Sequence, residues 1–413
     1  MKLLVSTLLK LVVIITLKFL KAALEKDLFS VNIFWVHVIT LLQFLLLAWL
    51  LVTPLLFWWR TSNHRRKEIT ALAITVLLFM VVEAGLYYHF KNPALYGYRI
   101  TKVLQDVYVA SAFPTITVQP GKAVYNNALF YKLLPHANFR FECAEYKVSY
   151  STNSAGLRDD EGSLQKPSLI FLGDSFTMGY GVHQDSTYPQ QVERLTGLKT
   201  LNAAISSYGT ARELTLLQQL DTSNLQYLFI QYCSNDEEEN AAYIKNNFKY
   251  TPPSIKFYQQ MQLVERWQKQ YFPLKNAALF LKYWSNSIKA KQYANQPSQA
   301  YYNPLIITDT AIHNFMSILS KTDWRAKKYK LVVLHNDPFI TGNDPFIDIC
   351  KKIQQAHTNL KNLGAIDFIN VNTALLKEDY YHFDNHTNNS GNRKVAAAIV
   401  TYLMKAGINS DTQ

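Results

Sequence analysis

A short apolar run that ends abruptly in a polar turn limits the possible folds of this chain more than any other part of its sequence. Leu169 to Leu172 are apolar, and Gly173-Asp174-Ser175 follows them directly. This is the pattern of a buried parallel strand. Ligands of an open α/β sheet bind beyond the carboxyl ends of its strands, so Ser175 is predicted to lie at a binding edge. The alternative is an ordinary turn in which Asp174 and Ser175 cap the next helix.

Strand-like and helix-like segments alternate along the chain after this motif. The predicted strands are residues 199–204, 225–232, 331–335 and 365–371, and the predicted helices are 188–195, 210–220 and 393–406. Such alternation implies a parallel sheet that is covered by helices on both faces. The sequence therefore predicts an α/β fold, a three-layer sandwich around a central parallel sheet.

Charge is distributed unevenly along the 413 residues. The net charge is +12, and residues 1–100 carry 11 basic and 4 acidic side chains, a net of +7. Basic residues concentrated around hydrophobic segments indicate membrane orientation, and no later Lys/Arg-rich run indicates a nucleic-acid partner. Cys143, Cys233 and Cys350 are too scattered for a zinc site; they fit three thiols, or one disulfide and one free thiol.

The first 90 residues are predicted to form a membrane region. Residues 31–59 contain no Asp, Glu, Lys or Arg and exceed the roughly 20 residues that cross a bilayer. A second span is predicted at 69–88. Residues 3–23, which contain interspersed lysines, are either a first span or an interfacial amphipathic helix.

Basic residues set the predicted orientation. The loop between the two clear spans contains Arg60, Arg65, Arg66 and Lys67, which favour the cytoplasm. If that loop lies in the cytoplasm, the chain after about residue 91 lies on the opposite side of the membrane. The lysines near the N-terminus then lie in the cytoplasm as well only if residues 3–23 also cross the membrane. The prediction is a multi-pass protein of the cell inner membrane whose main domain lies on the extracytoplasmic (periplasmic) side. A domain facing the cytoplasm is the competing hypothesis.

The remaining chain divides into a connector at 91–137 and a domain at 138–413. Alternation of polar and apolar residues over 138–150 predicts a hairpin or an edge strand. A stretch at about 237–303, rich in Lys, Gln, Asn and aromatic residues, interrupts the α/β pattern and is predicted to be a helical insertion. Its aromatic residues either line a substrate groove or pack the insertion onto the core, and we favour packing.

Three later segments carry polar groups at the ends of predicted strands or before a helix. They are residues 202–209, 233–236 and 384–386. In a doubly wound sheet these segments can share an edge with Ser175. A serine becomes a good nucleophile when a histidine removes its proton, and a carboxylate fixes the tautomer of that histidine. Together the segments supply the groups that acyl transfer needs.

In this order the four segments resemble the SGNH (GDSL-like) hydrolase superfamily, in a membrane-anchored member. The first block is Gly173-Asp174-Ser175-Phe176 followed by 179–182, the second is 202–209, the third is Ser234-Asn235-Asp236, and the last is 384–388 with Gly391. The approach segment at 153–158 also resembles that of membrane-anchored members.

The resemblance implies a flavodoxin-like fold and a Ser-His-Asp hydrolase that uses no cofactor and no metal. Ser175 would be the nucleophile, His386 the general base and Asp384 the carboxylate partner of that base. The backbone N–H groups of Ser175 and Ser207, with the Asn235 side chain, would form the oxyanion hole.

The sequence departs from the family pattern in three places. Ser207 and Cys233 stand where the family has glycine, and one residue separates Asp384 from His386 where many members have two. The short spacing resembles that of the superfamily's polysaccharide O-acetylation enzymes, and Asp379 is a distant alternative partner for the histidine. Cys233 is interpreted as a buried side chain and not as a second nucleophile. Residues 335–337 are interpreted as ordinary strand-end residues.

These features predict a membrane-anchored serine esterase or O-acyltransferase that acts on acyl esters of a cell-envelope glycan or lipid. A transferase would need a membrane partner protein that delivers acyl groups. The alternative is a non-catalytic protein of the same fold that binds envelope polysaccharide during its modification or assembly. The departures at Ser207 and Cys233 favour that alternative.

Overall fold

Five parallel strands form the central sheet of this protein in the computed structural model. The structure describes residues 64–92, 115–269, 274–292, 308–338, 340–342, 345–356 and 362–408, with single positions among 12–49 and 103–107. The strands are β1 (Ala123–Asn126), β2 (Phe130–Leu133), β3 (Asn138–Glu142), β4 (Lys147–Ser151), β5 (Leu169–Leu172), β6 (Thr200–Asn202), β7 (Tyr227–Tyr232), β8 (Lys330–His335) and β9 (Ile366–Ile369). The helices are α1 (His64–Lys91), α2 (Ser175–Met178), α3 (Tyr188–Thr196), α4 (Thr210–Leu217), α5 (Glu237–Lys245), α6 (Ile255–Lys269), α7 (Lys275–Gln292), α8 (Asp309–Leu319), α9 (Pro345–Ala356) and α10 (Asn389–Lys405).

The strand order of the central sheet is β6-β5-β7-β8-β9, and every neighbouring pair is parallel. Counted from β5, this is the 2-1-3-4-5 order of flavodoxin-like folds. The predicted fold class is therefore confirmed. The chain passes from β5 to β6 on one side and then to β7 on the other, so the switch point of the sheet lies at the carboxyl end of β5.

Alternate residues of the strands face two helical layers. On one face, α3 and α10 cover Phe171 and Phe229, whose rings stack with their centroids 4.5 Å apart. On the other face, Tyr232 stacks on Phe346 of α9 and contacts Phe315 of α8. All five side chains are buried, and burying a ring of this size contributes roughly 1.5–3 kcal/mol. This core fixes the strand ends that carry the polar segments.

Two antiparallel hairpins precede the central sheet in the chain. Strand β1 pairs with β2, and β3 pairs with β4 over the range predicted for a hairpin. Phe141 and Tyr150 of the second hairpin pack with Met178 and Tyr180, which follow Ser175 in the chain. The β3–β4 hairpin therefore lies beside the carboxyl edge of the sheet.

Helix α1 belongs to a second compact unit, formed by the described parts of Met1–Phe113 and Gln259–Ser298. Among the described residues, Ala73–Phe90 is the one segment long and apolar enough to cross a membrane. Its outward side chains are large and apolar: Leu78, Val81 and Tyr88 are 59–61% exposed. Most of the residues in the spans predicted at 3–23 and 31–59 lie outside the described part of the chain, so a multi-pass arrangement remains a prediction.

Helix α7, from the stretch predicted to be an insertion, packs on α1. Phe280 and Tyr283 of α7 lie in one apolar cluster with Leu86 and Phe90 of α1. The sequence interpretation takes the α/β core as the packing partner of the insertion's aromatic residues. For these two residues the partner is α1.

Candidate active site

Ser175 is the first residue of the four-residue helix α2, directly after strand β5 and Gly173-Asp174. The Asp174 carboxylate accepts a hydrogen bond from the Phe176 backbone N–H at 2.9 Å, so Asp174 is the N-cap of α2. A side chain at Gly173 has no room, because its Cβ would lie 2.1 Å from Thr177 Oγ1. Asp174 therefore caps helix α2, and the Ser175 hydroxyl takes no part in this cap.

Arg158 fixes the turn that follows Ser175. Its guanidinium group donates to the carbonyl oxygens of Met178 at 3.0 Å and Val182 at 2.5 Å. The side chain is fully buried, and its charge lies 3.5 Å from the centre of the Tyr150 ring. Hydrogen bonds and the cation–π contact offset the cost of burying this charge. Arg158, the last residue of the approach segment at 153–158, therefore stabilises the turn that follows Ser175.

Ser175, His386 and Asp384 form one hydrogen-bonded chain. His386 Nε2 lies 2.7 Å from Ser175 Oγ, and His386 Nδ1 lies 2.6 Å from Asp384 Oδ1. The centre of the imidazole lies 4.5 Å from the Tyr180 ring, at 21° to it, and 4.8 Å from the Phe176 ring. These distances allow the histidine to take the serine proton and the carboxylate to orient the histidine.

The pKa of His386 reflects a balance between burial and a neighbouring carboxylate. Burial favours the neutral imidazole, but the charge of Asp384 and its hydrogen bond outweigh burial, so the pKa lies above its ordinary value of 6.5. Asp174 acts in the same direction as Asp384. The site therefore stabilises the imidazolium that forms when His386 accepts a proton.

The tip of the β3–β4 hairpin holds Asp384 in place. The Tyr146 hydroxyl donates to Asp384 Oδ2, the oxygen that His386 does not use. The carboxylate of Glu145 accepts three hydrogen bonds, at 2.6, 2.9 and 3.0 Å, from the backbone N–H groups of His382, Phe383 and Asp384. Neither Glu145 nor Tyr146 is a candidate from the sequence, because no local pattern connects them to a segment more than 230 residues away.

The one-residue spacing between Asp384 and His386 works because of the conformation of Asn385. Its φ is 66°, a left-handed value that asparagine tolerates better than most residues. The alternative carboxylate, Asp379, is engaged elsewhere: it accepts from Lys394 Nζ at 2.6 Å and from the Leu376 backbone N–H at 2.8 Å. Asp384 is thus the carboxylate next to the histidine.

Ser207, in the second block, keeps the backbone conformation of a glycine. Its φ is 61°, and its carbonyl oxygen accepts a hydrogen bond from the Arg212 guanidinium. Arg212 in turn forms an ion pair with Glu239 at 2.6 Å and lies 4.5 Å from the centre of the Tyr208 ring. A serine is therefore accommodated where the family pattern has glycine, with its backbone held by Arg212.

The third block is fixed by buried residues at the end of strand β8. Asp337 accepts from the Ser234 backbone N–H at 3.0 Å and from the Ser234 hydroxyl at 2.7 Å, and it lies 2.8 Å from His335 Nε2. Next along the chain, Asn235 Nδ2 donates to Asp174 Oδ2 at 3.0 Å. The interpretation of His335 and Asp337 as ordinary strand-end residues is therefore wrong, because both are buried and organise this block.

Cys233 is a buried thiol in the same cluster. Its Sγ lies 2.9 Å from Asp337 Oδ1. Burial raises the pKa of the thiol well above its ordinary value, and the nearby carboxylates raise it further. A thiol that is hard to ionise is a poor nucleophile, so Cys233 acts as a packed side chain. No disulfide joins Cys143, Cys233 and Cys350, all of which the structure describes.

A cavity of about 320 Å³ opens at this edge of the sheet. All five residues singled out in the sequence line it: Ser175, Ser207, Asn235, Asp384 and His386. A more open cavity of about 590 Å³ lies at the opposite edge, near Tyr227 and Lys330 at the starts of β7 and β8, and none of the five lines it. Among the described residues, no cluster of three or more His, Cys, Asp or Glu side chains is arranged for a metal ion.

The sheet order and the positions of the four blocks are those expected of the SGNH hydrolase superfamily. The resemblance seen in the sequence therefore extends to the fold. No protein-family model and no curated protein matches the sequence.

Similar solved structures include esterases and a lipase. A carbohydrate acetylesterase from Sinorhizobium meliloti is 12% identical, with 58% of this chain and 100% of that chain covered and a TM-score of 0.28. An extracellular lipase from Streptomyces rimosus is 15% identical, with 57% and 98% covered and a TM-score of 0.29. An acetyl xylan esterase from Butyrivibrio proteoclasticus is 13% identical, with 58% and 64% covered and a TM-score of 0.31. Similarity at this level assigns no function, so we infer the function from the site geometry.

Proposed function

We propose that this protein is a membrane-anchored serine esterase or O-acyltransferase. The observation that carries the proposal is the chain of contacts from Ser175 Oγ through both nitrogens of His386 to Asp384, at 2.7 and 2.6 Å. Nucleophile, base and orienting carboxylate meet at the switch point of the sheet, beside a cavity that can hold a small acyl group.

The first half of the reaction would make an acyl-enzyme. His386 takes the proton of Ser175 while Oγ attacks the carbonyl carbon of the ester, forming a tetrahedral intermediate. The backbone N–H groups of Ser175 and Ser207 and the second N–H of the Asn235 amide are the donors available for its oxyanion. When the intermediate collapses, the bond to the alcohol oxygen breaks, and His386 returns the proton to that oxygen.

The second half would transfer the acyl group to a new oxygen. His386 removes a proton from water or from an acceptor hydroxyl, whose oxygen attacks the acyl carbon. The bond to Ser175 Oγ then breaks, and His386 returns the proton to that oxygen. Water gives hydrolysis, and a glycan hydroxyl gives O-acylation. The cavity of about 320 Å³ is lined by Ile116, Phe176 and Tyr180 as well as by serine and threonine side chains, which suits a short acyl group next to Ser175.

The location belongs to the same proposal. Helix α1 would anchor the chain, and the basic loop between the predicted spans would place the catalytic unit on the extracytoplasmic side of the inner membrane. In the transfer version, a separate membrane protein would supply acyl groups. Reporter fusions after residue 92 and within the loop at 60–67 test the orientation, since only one of the two positions can be extracytoplasmic.

The test of catalysis uses the full chain in detergent, an aryl acetate substrate and a serine-directed phosphonate probe. Ser175→Ala should abolish labelling, and Ser175→Ala and His386→Ala should each lower esterase activity about a thousandfold or more. Ser223→Ala is the matched control, because Ser223 is exposed and lies outside the site. An unmutated protein that neither reacts with the probe nor hydrolyses the ester would favour the alternative, a non-catalytic binding protein.

A further inference from the structure

A carboxylate within the candidate membrane span caps the first turn of another helix. Glu83 of α1 is buried, at 6% exposure. Its carboxylate accepts hydrogen bonds from the Asn276 backbone N–H at 3.0 Å, the Asn276 side-chain amide at 2.9 Å and the Ala277 backbone N–H at 2.9 Å. These are donors that the start of α7 would otherwise leave unsatisfied.

The position of Glu83 gives the depth of this contact. Glu83 lies ten residues after Ala73 and seven before Phe90, or about 15 Å and 10 Å along the helix. If Ala73–Phe90 crosses a bilayer, the first turn of α7 lies within the hydrocarbon region. Backbone N–H groups at that depth need a protein partner, because no water is available to them. The carboxylate of Glu83 supplies one.

The sequence of α7 changes in step with that depth. Helix α7 begins with Lys275, which is buried near Glu83, and with Asn276, which bonds to Glu83. Residues 277–281 (Ala-Ala-Leu-Phe-Leu) are apolar and uncharged, Lys282, Tyr283 and Trp284 follow, and Lys289 and Lys291 come later. A helix that leaves the hydrocarbon core of a bilayer typically has apolar residues first and aromatic and basic residues at the interface. Tyr283 belongs to the cluster of Phe90, the last residue of the candidate span, so the aromatic residues of both helices lie at one level.

Part of the apolar surface of α7 faces away from α1. Leu279, Phe280 and Tyr283 pack in the cluster with α1, whereas Leu281 and Trp284 are 44% and 49% exposed. Counted from the contact between Glu83 and Ala277, α1 also has exposed large side chains at this level, Tyr87 and Tyr88, which are 45% and 61% exposed. A bilayer is the occupant that fits both helices at the same depth.

We propose that the first half of α7, about residues 276–284, is a membrane-embedded half-helix that re-enters the bilayer beside α1 with its N-terminus capped by Glu83. The predicted insertion of the hydrolase domain would then return the chain to the membrane and attach it there a second time. This proposal rests on the membrane anchoring proposed above, and it does not depend on the esterase activity.

The test measures depth along one face of each helix. Single cysteines replace Ala278, Leu281, Ser285 and Ile288 of α7, which follow one another along one side of the helix, in a full chain whose native cysteines are replaced by alanine. Each cysteine carries an environment-sensitive fluorophore, and the protein is placed in vesicles of phosphatidylcholine and phosphatidylglycerol with brominated acyl chains. Leu78→Cys, Val81→Cys and Tyr88→Cys calibrate the depth on α1.

Quenching should be strongest at 278, between the values at 81 and 88, and comparable with that at 88 for 281. It should fall through 285 to 288, about 15 Å beyond 278 along the helix. Glu83→Leu should remove the quenching at 278 and 281 while leaving that at 78 intact, because leucine strengthens the span but cannot cap α7. Glu83→Gln, which keeps one acceptor oxygen, should have a smaller effect.

Two results would overturn the inference. If the α1 sites are quenched and no α7 site is, α7 is not embedded, and the proposed anchoring stands without it. If the α1 sites are not quenched, the anchoring fails and the half-helix fails with it. Esterase activity of the chain with its native cysteines, in vesicles of the same lipids, reports on the proposed catalysis separately from both.

Discussion

Tyr146 donates its phenolic hydrogen to the oxygen of Asp384 that faces away from His386. Each carboxylate oxygen of Asp384 therefore has one partner, and the tyrosine prevents the carboxylate from rotating away from the histidine. Tyr146 comes from a hairpin that precedes the central sheet in the chain. The orientation of the general base thus depends on an element outside the α/β core.

Removing this hydroxyl should lower the rate of catalysis more than it lowers stability. In Tyr146→Phe the ring still packs against Phe141 and Tyr381, but Asp384 loses one hydrogen bond. A hydrogen bond to a charged group contributes about 1.5–3 kcal/mol, so we expect kcat to fall about tenfold or more. Steady-state kinetics on an aryl acetate measure the change.

The matched control for this prediction is Tyr381→Phe. The Tyr381 hydroxyl donates to the Gly181 carbonyl oxygen at 2.8 Å and not to the triad. If Tyr381→Phe lowers kcat as much as Tyr146→Phe does, the effect comes from packing in this cluster and not from the bond to Asp384.

The pH dependence of catalysis should follow the protonation of His386. Only the neutral imidazole can accept the serine proton, so activity is lost as the pH falls through the histidine pKa. Because Asp384 holds that pKa above 6.5, the acid limb of kcat/KM should have its midpoint above 6.5.

Replacing Asp384 by asparagine tests the cause of this shift. Asp384→Asn removes the negative charge that raises the pKa, so the midpoint should move to lower pH while the maximal rate also falls. Rates measured over a pH series on both proteins give the two midpoints. An unchanged midpoint in the variant would show that Asp384 does not control the titration of His386.

Ser207→Gly should stabilise the protein and preserve activity. A non-glycine residue in the left-handed region carries a conformational penalty of roughly 1–2 kcal/mol, which glycine removes. Part of this gain is lost to the greater freedom of glycine in the unfolded chain, and a net gain of about 1 kcal/mol would raise Tm by about 2–4 °C. The backbone N–H of residue 207, the proposed oxyanion donor, is unchanged.

Ser206→Gly is the control for this substitution, measured by thermal unfolding. Ser206 is not among the residues with positive φ, so glycine there adds freedom to the unfolded chain without relieving strain. It should lower Tm. Equal effects of the two substitutions would mean that the left-handed conformation of Ser207 is not strained.

The parallel sheet and the central residues of the site were predictable because their signals are local. An apolar run ending in Gly173-Asp174-Ser175 specifies a buried strand with a turn at its carboxyl end, whichever residues later pack against it. The same holds for Asp384-Asn385-His386 before an amphipathic helix. The α/β pattern then requires both segments to lie at one edge of the sheet.

The supporting residues of the site were not predictable, because they act over long distances in the chain. Glu145 and Tyr146 belong to a polar/apolar alternation that indicates only a hairpin, and their partners lie near residue 384. Asp337 ends a strand as many polar residues do, and only the packing of β7 beside β8 brings it to Ser234. The partner of α7 was not predictable for the same reason: its sequence fits a helix without indicating that Phe280 and Tyr283 pack on α1.

Asp174 connects the two groups that would have to act together. Its Oδ1 accepts from the Phe176 N–H in the first turn after the serine, and its Oδ2 accepts from Asn235. A movement of the Asn235 amide toward the negative charge that develops on the substrate would change its hydrogen bond to Asp174. Because Asp174 also caps the helix that begins at Ser175, the position of the serine would change with it. Nucleophile and amide therefore cannot be tuned independently, and substitutions at Asp174 should alter attack and charge stabilisation as a single step.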